Sequence, residues 1–215
     1  MTTNREIFDE IAQSWYGFRH WSRFTKELEE MAFRWHHGNL LNIGCAHGPD
    51  FLPFKDNFDL WGVDFSSQMV KMAQKYATKF NFEVNLTVAD ALSLPYRDNT
   101  FDCAIAVATY HHIHGDMQRE KAFHELNRVL KPGGEAFITV WNRLQPKFCL
   151  KGKEANIPWK SKGKILYRYY HLFSYAEFNK LSTRAGFEVL GLFPEKSYRF
   201  PIKHFSQNIC ALIKK

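Results

Sequence analysis

The sequence predicts an α/β protein built on an open, mostly parallel sheet. Three observations carry that expectation. Apolar strand-like runs alternate with amphipathic helical stretches through five units, ending near residue 141. The first run stops in a small-residue turn and the second stops in an acid, as in sheets that bind ligands at their strand tips. Two last runs, FEVLGLF and FSQNICALIK, are joined by a short connection, which predicts a closing hairpin.

Each element has its own signal. Residues 5–14 put Ile7, Phe8 and Ile11 at helical spacing, and 22–36 predict a second helix through Phe24, Leu28, Met31 and Trp35. Between them, WYGFRHW gathers aromatics around Arg19. Strands are predicted at 39–44 and 59–64, and Ser66 is placed to cap a helix reaching about Lys79. EVNLTVAD (83–90) predicts a third strand. FDCAIAVA (101–108) is continuously apolar, as a parallel strand buried on both faces requires. A helix at 116–130 stops at KPGG, where Pro132 cannot continue it, and EAFITVW (135–141) predicts the fifth strand. Residues 142–170 lack a clear period and read as a structureless insertion, a feature that in a compact domain usually carries function. Ser174 is placed to cap a final helix at 174–185, with Gly186 just past its end.

Composition narrows the class. A chain of 215 residues fits a single domain, 1–215, carrying the insertion at about 142–170 as a basic substrate-binding segment. Hydrophobic residues at 45% and charged residues at 24% are those of an ordinary soluble globular protein. No apolar run approaches the ~18 residues of a membrane span, and the polar start MTTNREIFDE is unlike a secretory leader. Cys45, Cys103, Cys149 and Cys210 are scattered without a C-x-x-C, which speaks against disulfides and structural zinc, predicts no metal site, and favours a reducing cytoplasm. The formal charge is +7. The stretch 143–168 alone holds Arg143, Lys147, Lys151, Lys153, Lys160, Lys162, Lys164 and Arg168 against the single acid Glu154, so the remaining chain is formally neutral. One cationic segment on a neutral body points to a polyanionic partner.

Strand tips name the ligand class. Gly44, Ala46 and Gly48 open the backbone after strand one, Asp64 follows 20 positions after Gly44, and Asp90 ends strand three. An acid at such a tip accepts hydrogen bonds from a ribose diol. The turn lacks a third spaced glycine and no Arg/Lys fork awaits a pyrophosphate, which favours a nucleoside without phosphates. In that order and spacing IGCAHG, VDFSSQMV, ADALSLPYRDNTFD, YHHI and LNRVLKPGG resemble the motif series of class I methyltransferases that use S-adenosylmethionine. The resemblance implies a Rossmann-like fold with a seven-stranded, mostly parallel sheet, one antiparallel strand, and helices on both faces. It implies Gly44, Ala46 and Gly48 along the methionine moiety, with Arg19 reaching its carboxylate. Asp64 and Met69 serve the ribose and adenine, and Asp90 and Ala91 the adenine amine and ring. Cys45, Phe65, Ser66, Leu92, Ala106 and Val107 complete the implied cofactor set. Two departures stand in the first motif: Asn42 replaces the usual acid and Ala46 the middle glycine.

Three further stretches bear on the acceptor. DEIAQSWYGFR (9–19), VWNR (140–143) and KILYRYYHLF (164–173), with IPWK upstream and the paired histidines 111–112, resemble the methyltransferases that esterify 5-carboxymethyluridine at the tRNA wobble position, a module that animals fuse to an AlkB-like hydroxylase. These enzymes carry Arg after the second-strand acid, where this chain has Phe65. The resemblance implies a tRNA anticodon stem-loop as partner and a small zinc-binding activator subunit as a second one. Esterification also fits the residue types. A carboxylate is already ionised at neutral pH and needs positioning rather than a base. Arg suits a carboxylate, and His and Tyr supply single donors. The candidate catalytic set is therefore His111, His112, Arg143, Arg168, Tyr169 and His171. Two alternatives stay open: a methyltransferase for a quinone precursor or other metabolite, and a non-catalytic RNA-binding protein whose cofactor site has decayed.

Overall fold

A computed structural model describes residues 3–148, 152–161, 163–200 and 202–215. Cys149, Lys151 and Lys162 of the readings above lie outside the described residues. The helices are α1 (Asn4–Phe18), α2 (Thr25–Trp35), α3 (Ser67–Phe80), α4 (Asp116–Val129) and α5 (Tyr175–Arg184). The strands are β1 (Gly38–Ile43), β2 (Phe58–Asp64), β3 (Asn85–Val88), β4 (Phe101–Val107), β5 (Leu130–Trp141), β6 (Glu154–Ser161), β7 (Lys164–His171), β8 (Glu188–Pro194) and β9 (Asn208–Lys214).

Seven strands form one sheet in the order β3-β2-β1-β4-β5-β9-β8. Pairing is parallel from β3 through β5, and β9 runs antiparallel to both its neighbours. The Rossmann-like expectation therefore holds, including the single reversed strand. Pleating splits the core between two faces. Along β4, Ala104 and Ala106 pack with α4 and α5 through Phe123, Leu126 and Phe178, while Cys103 and Ile105 pack with Leu28 and Met31 of α2. Ser66 caps α3 by accepting from the Met69 N–H at 3.1 Å, and Ser174 caps α5 by accepting from Glu177. Among the described residues no helix is long and apolar enough to cross a membrane.

Two expectations need correcting. The segment 142–170 is not structureless: β6 and β7 pair antiparallel as a separate two-stranded ribbon. Gly163, at φ +76°, supplies the positive φ that its tight turn needs. Its period-two pattern was hidden because charged and aromatic residues occupy both faces of the ribbon. The connection from β8 to β9 is also longer than expected, spanning 195–207 and including a 3-10 turn at Lys203–Phe205.

The ribbon lies on α1 and thereby on the carboxyl end of the sheet. Trp159 donates from Nε1 to the Ser14 hydroxyl at 3.1 Å, and its ring lies 4.9 Å from Trp15. Asn4 ties three parts together. Its Oδ1 accepts from the Tyr169 N–H, and its Nδ2 donates to the His112 carbonyl, each at 3.1 Å.

Phe123 packs against Phe178 at 5.4 Å and Tyr110 at 4.8 Å, so it joins α4 to α5 and to the turn after β4. Phe123→Ala should lower unfolding stability by about 3–5 kcal/mol, measured by denaturant unfolding; a loss below about 1 kcal/mol would contradict this packing.

Candidate functional site

The tips of β1 to β4 form the floor of a cavity of about 400 Å³, inside the usual range of roughly 300–1,000 Å³ for small-ligand sites. Its floor comes from Gly44, Ala46 and His47 after β1, Asp64 and Phe65 after β2, Asp90 to Leu92 after β3, and Val107 to Thr109 after β4. Its walls come from Phe8, Trp15, Arg19 and Trp21 near the amino terminus, the turn 111–114, Trp141, and Tyr170 of the ribbon.

Backbone geometry explains the open floor. Gly44 sits at φ +70°, and a Cβ there would stand 2.4 Å from Thr109 side-chain atoms. Thr109 is held in place by donating from Oγ1 to the Ile43 carbonyl at 2.9 Å. The Gly44 and Cys45 amides both donate to the Val63 carbonyl. Asp64 accepts from the Ala46 N–H and the Ser66 N–H, each at 2.9 Å. Burial pushes the Asp64 carboxyl up to about 6, although both amides favour its charged form. Asp90 is exposed and accepts from the Leu92 N–H at 2.9 Å, which fixes its rotamer at the rim.

The structure brings together Arg19, Gly44, Ala46, Asp64, Phe65, Asp90, Ala91, Leu92, Val107, His111 and His112 in the cavity wall. Cys45, Gly48, Ser66, Met69 and Ala106 are not lining residues. Cys45 and Ala106 are buried in the two core clusters, and Met69 packs with Ile7, Phe8, Ile11 and Ala12 of α1. Gly48 precedes the 3-10 turn Pro49–Phe54, and Ser66 serves the α3 cap. Asn42, which stands where the motif usually has an acid, is buried within β1, and neither polar atom of its side chain has a hydrogen-bond partner among the described residues.

The expected acceptor residues also separate. β7 alternates, so Arg168 and Tyr170 share one face while Tyr169 and His171 share the other. Tyr169 donates to Glu154 at 2.9 Å and stacks on His114, outside the cavity. His171 is buried against Glu177, with 2.8 Å between Nε2 and Oε1, which ties the ribbon to α5. Arg143 is half-buried and does not line the cavity. Arg168 lies just behind the wall. It is 5% exposed, sits over Trp15, Trp159 and Tyr170 with its guanidinium carbon 5.0–5.4 Å from each ring centre, and donates to the Tyr170 hydroxyl at 2.9 Å. The basic segment is thus not one patch: Lys147, Lys153, Lys160 and Lys164 are exposed, whereas Arg168 is internal.

The two histidines present opposite faces. His111 accepts the Trp141 N–H on Nδ1 at 3.3 Å, which leaves Nε2 carrying the proton, buried and without a protein partner. His112 donates from Nδ1 to the Tyr169 carbonyl at 2.9 Å and so keeps a lone pair on Nε2. Burial holds both neutral, pushing His112 down to about 3 and His111 well below its ordinary value. The ring of His111 stacks on Tyr170 at 4.7 Å.

His47, Asp50 and Thr109 also line the cavity and were not singled out from sequence, while Trp15 and Trp21 there are the two ends of the aromatic stretch WYGFRHW. The available signal was position, since His47 and Asp50 flank Gly48 in the turn itself. The lining fits a phosphate-free nucleoside: acceptor carboxylates at two neighbouring strand tips, a side-chain-free approach at Gly44, and apolar walls.

Known proteins match this chain. A family model described as a methyltransferase domain matches residues 41–138. A putative methyltransferase of Encephalitozoon cuniculi is 30% identical over 192 residues, covering 86% of this chain and 85% of its own length. The tRNA (carboxymethyluridine(34)-5-O)-methyltransferase of Schizosaccharomyces pombe is 27% identical, covering 86% of this chain and 88% of its own length. The Arabidopsis thaliana protein of that name is 33% identical over 137 residues, or 63% of this chain, and the match spans 31% of its own length. The solved complex between the Haloferax volcanii Trm112 methyltransferase activator and the putative methyltransferase holds a chain that matches with a TM-score of 0.70 at 18% identity, covering 99% of this chain and 97% of that one.

Buried His47 adds an acid sensitivity. Burial pushes it down to about 4, against ~6.5 in an unfolded chain. Between those values the unfolded state binds more protons, so stability falls as pH drops from 6.5 to 4. His47→Phe should remove this contribution. Relative to wild type, the variant should gain on the order of 1 kcal/mol per pH unit below 6, read from thermal or denaturant midpoints; parallel pH profiles would contradict a buried neutral His47.

Proposed function

Because this chain belongs to the class I S-adenosylmethionine-dependent methyltransferases, we propose that it methyl-esterifies the carboxymethyl group of a wobble uridine in tRNA. One observation carries the reading. Facing the strand tips is a wall rich in donors, Arg19, His111 and Tyr170 among them. His112, at about 3, is a poor base at neutral pH. A carboxylate needs no base; it needs water removed and its oxygen aimed.

S-adenosylmethionine supplies an electrophilic methyl group on a sulfonium. In this reading Asp64 holds the ribose, Asp90 to Leu92 hold the adenine, and Arg19 meets the methionine carboxylate. Met69, Ser66, Cys45, Gly48 and Ala106 shape the floor from behind. The Nε2–H of His111 and the Tyr170 hydroxyl, which accepts from Arg168 and so keeps its own proton free, donate to the substrate carboxylate. Those two donors would aim one carboxylate oxygen at the methyl group that the cofactor would supply. Exposed Lys147, Lys153, Lys160 and Lys164 neutralise anticodon-stem phosphates, a salt-sensitive contribution without sequence information. The names of the Schizosaccharomyces pombe and Arabidopsis thaliana relatives support this acceptor.

A small zinc-binding activator is a second proposed partner. The Haloferax volcanii complex supports it. So does β3, an edge strand with Val88 45% exposed, which a subunit can cover. Work in the cytoplasm is part of the same proposal, as the unpaired Cys45, Cys103 and Cys210 suit a reducing compartment.

The test incubates the protein, with and without an activator of that class, with labelled S-adenosylmethionine and tRNA bearing carboxymethyluridine. A base-labile label on that nucleoside is expected. Label on small metabolites alone, independent of RNA, would move the assignment to a small-molecule enzyme. Tyr170→Phe should lower kcat/KM for the tRNA by about 10- to 100-fold while leaving affinity for S-adenosylhomocysteine within twofold; unchanged kcat/KM would remove Tyr170 from the acceptor site.

A further inference from the structure

One corner of the cavity holds two opposite charges that do not pair. Asp50 is 8% exposed, lies in the 3-10 turn Pro49–Phe54, and lines the cavity. Arg19 ends α1 and lines the same cavity, with its guanidinium carbon 5.0 Å from the centre of Trp15. Among the described residues neither belongs to an ion pair within 4 Å. Burial pushes the Asp50 carboxyl up to about 6 and lowers the proton affinity of Arg19; against that, the Ser22 hydroxyl, also in the lining, and the charge of Arg19 favour the ionised Asp50, and Asp50 favours the charged Arg19.

A buried carboxylate without a cation is costly to keep, and the half-buried Arg19 guanidinium, without an anion, carries a smaller cost of the same kind. Joining them directly would close the corner. Holding them apart within one cavity instead leaves room for a ligand that carries both charges. The cofactor ends in an α-amino acid, which is such a group: an ammonium and a carboxylate on one carbon.

We propose that Asp50 binds the ammonium of the cofactor's amino-acid end, opposite Arg19 at its carboxylate, and so selects ligands bearing the whole zwitterion. Two opposed charges set the orientation of the head, because reversing it would place like charges together. The inference depends on the cofactor and not on the acceptor, so its failure leaves the tRNA reading standing.

Calorimetric titration of the full chain separates the outcomes. The ligands are S-adenosylhomocysteine, its analogue lacking the amine, and 5′-methylthioadenosine, which lacks the amino-acid end altogether. Wild type should bind the amine-free analogue about 10- to 100-fold more weakly than S-adenosylhomocysteine. Asp50→Asn should erase that difference by weakening S-adenosylhomocysteine alone, with 5′-methylthioadenosine held within twofold. Equal losses for all three ligands would make Asp50 a merely structural residue and overturn the proposal. So would equal wild-type affinities for S-adenosylhomocysteine and its amine-free analogue, a result that needs no variant to fold.

Discussion

The Asp64 carboxylate is the constraint on which the rest of the site depends. It accepts one backbone N–H from the turn after β1 and one from the start of the next helical segment. Those bonds hold Ala46 in a left-handed conformation, φ +47°, that a non-glycine residue adopts only when its surroundings impose it. The chain of contacts then continues. Ser66 donates to Asp9 at 2.7 Å, and the Gln68 amide donates to the same oxygen at 3.1 Å. One buried acid thereby fixes the floor of the cavity and, through Asp9, the helix that forms its wall.

The upper wall follows from that placement. With α1 fixed, Trp15 is presented to the ribbon, and Arg168 is enclosed by three aromatic rings. Burial lowers the proton affinity of Arg168, yet a guanidinium keeps its charge, so the wall remains cationic in an apolar setting. In such surroundings each donor aimed inward is worth more than it would be in water. His111, Tyr170 and Arg19 are therefore strong in effect although few in number.

The sequence made much of this legible, for definite reasons. Strand tips are marked by distinctive residue types, glycine where a side chain would strike Thr109 and acids that accept backbone amides, so the cavity positions of Gly44, Asp64 and Asp90 could be read directly. Met69 could not be resolved, because a helical methionine beside a ligand looks the same as one packed on α1. In RYYH aromatic and basic residues satisfy either face, so the sequence did not show which of them point inward. Arg168 and Tyr170 therefore took the inward positions, while Tyr169 and His171 went to Glu154 and Glu177. Asp50 escaped notice because only the folded turn shows that it is buried and faces Arg19.

The central claim is that a phosphate-free adenosyl cofactor lies across the tips of β1 to β4 beneath the ribbon. A crystal structure of the chain with S-adenosylhomocysteine tests it most directly. The account predicts the ribose hydroxyls on Asp64, the adenine beside Asp90 to Leu92, and the sulfur turned toward His111 and Tyr170. Ligand bound away from Asp64, or a sulfur facing away from the ribbon, would contradict it.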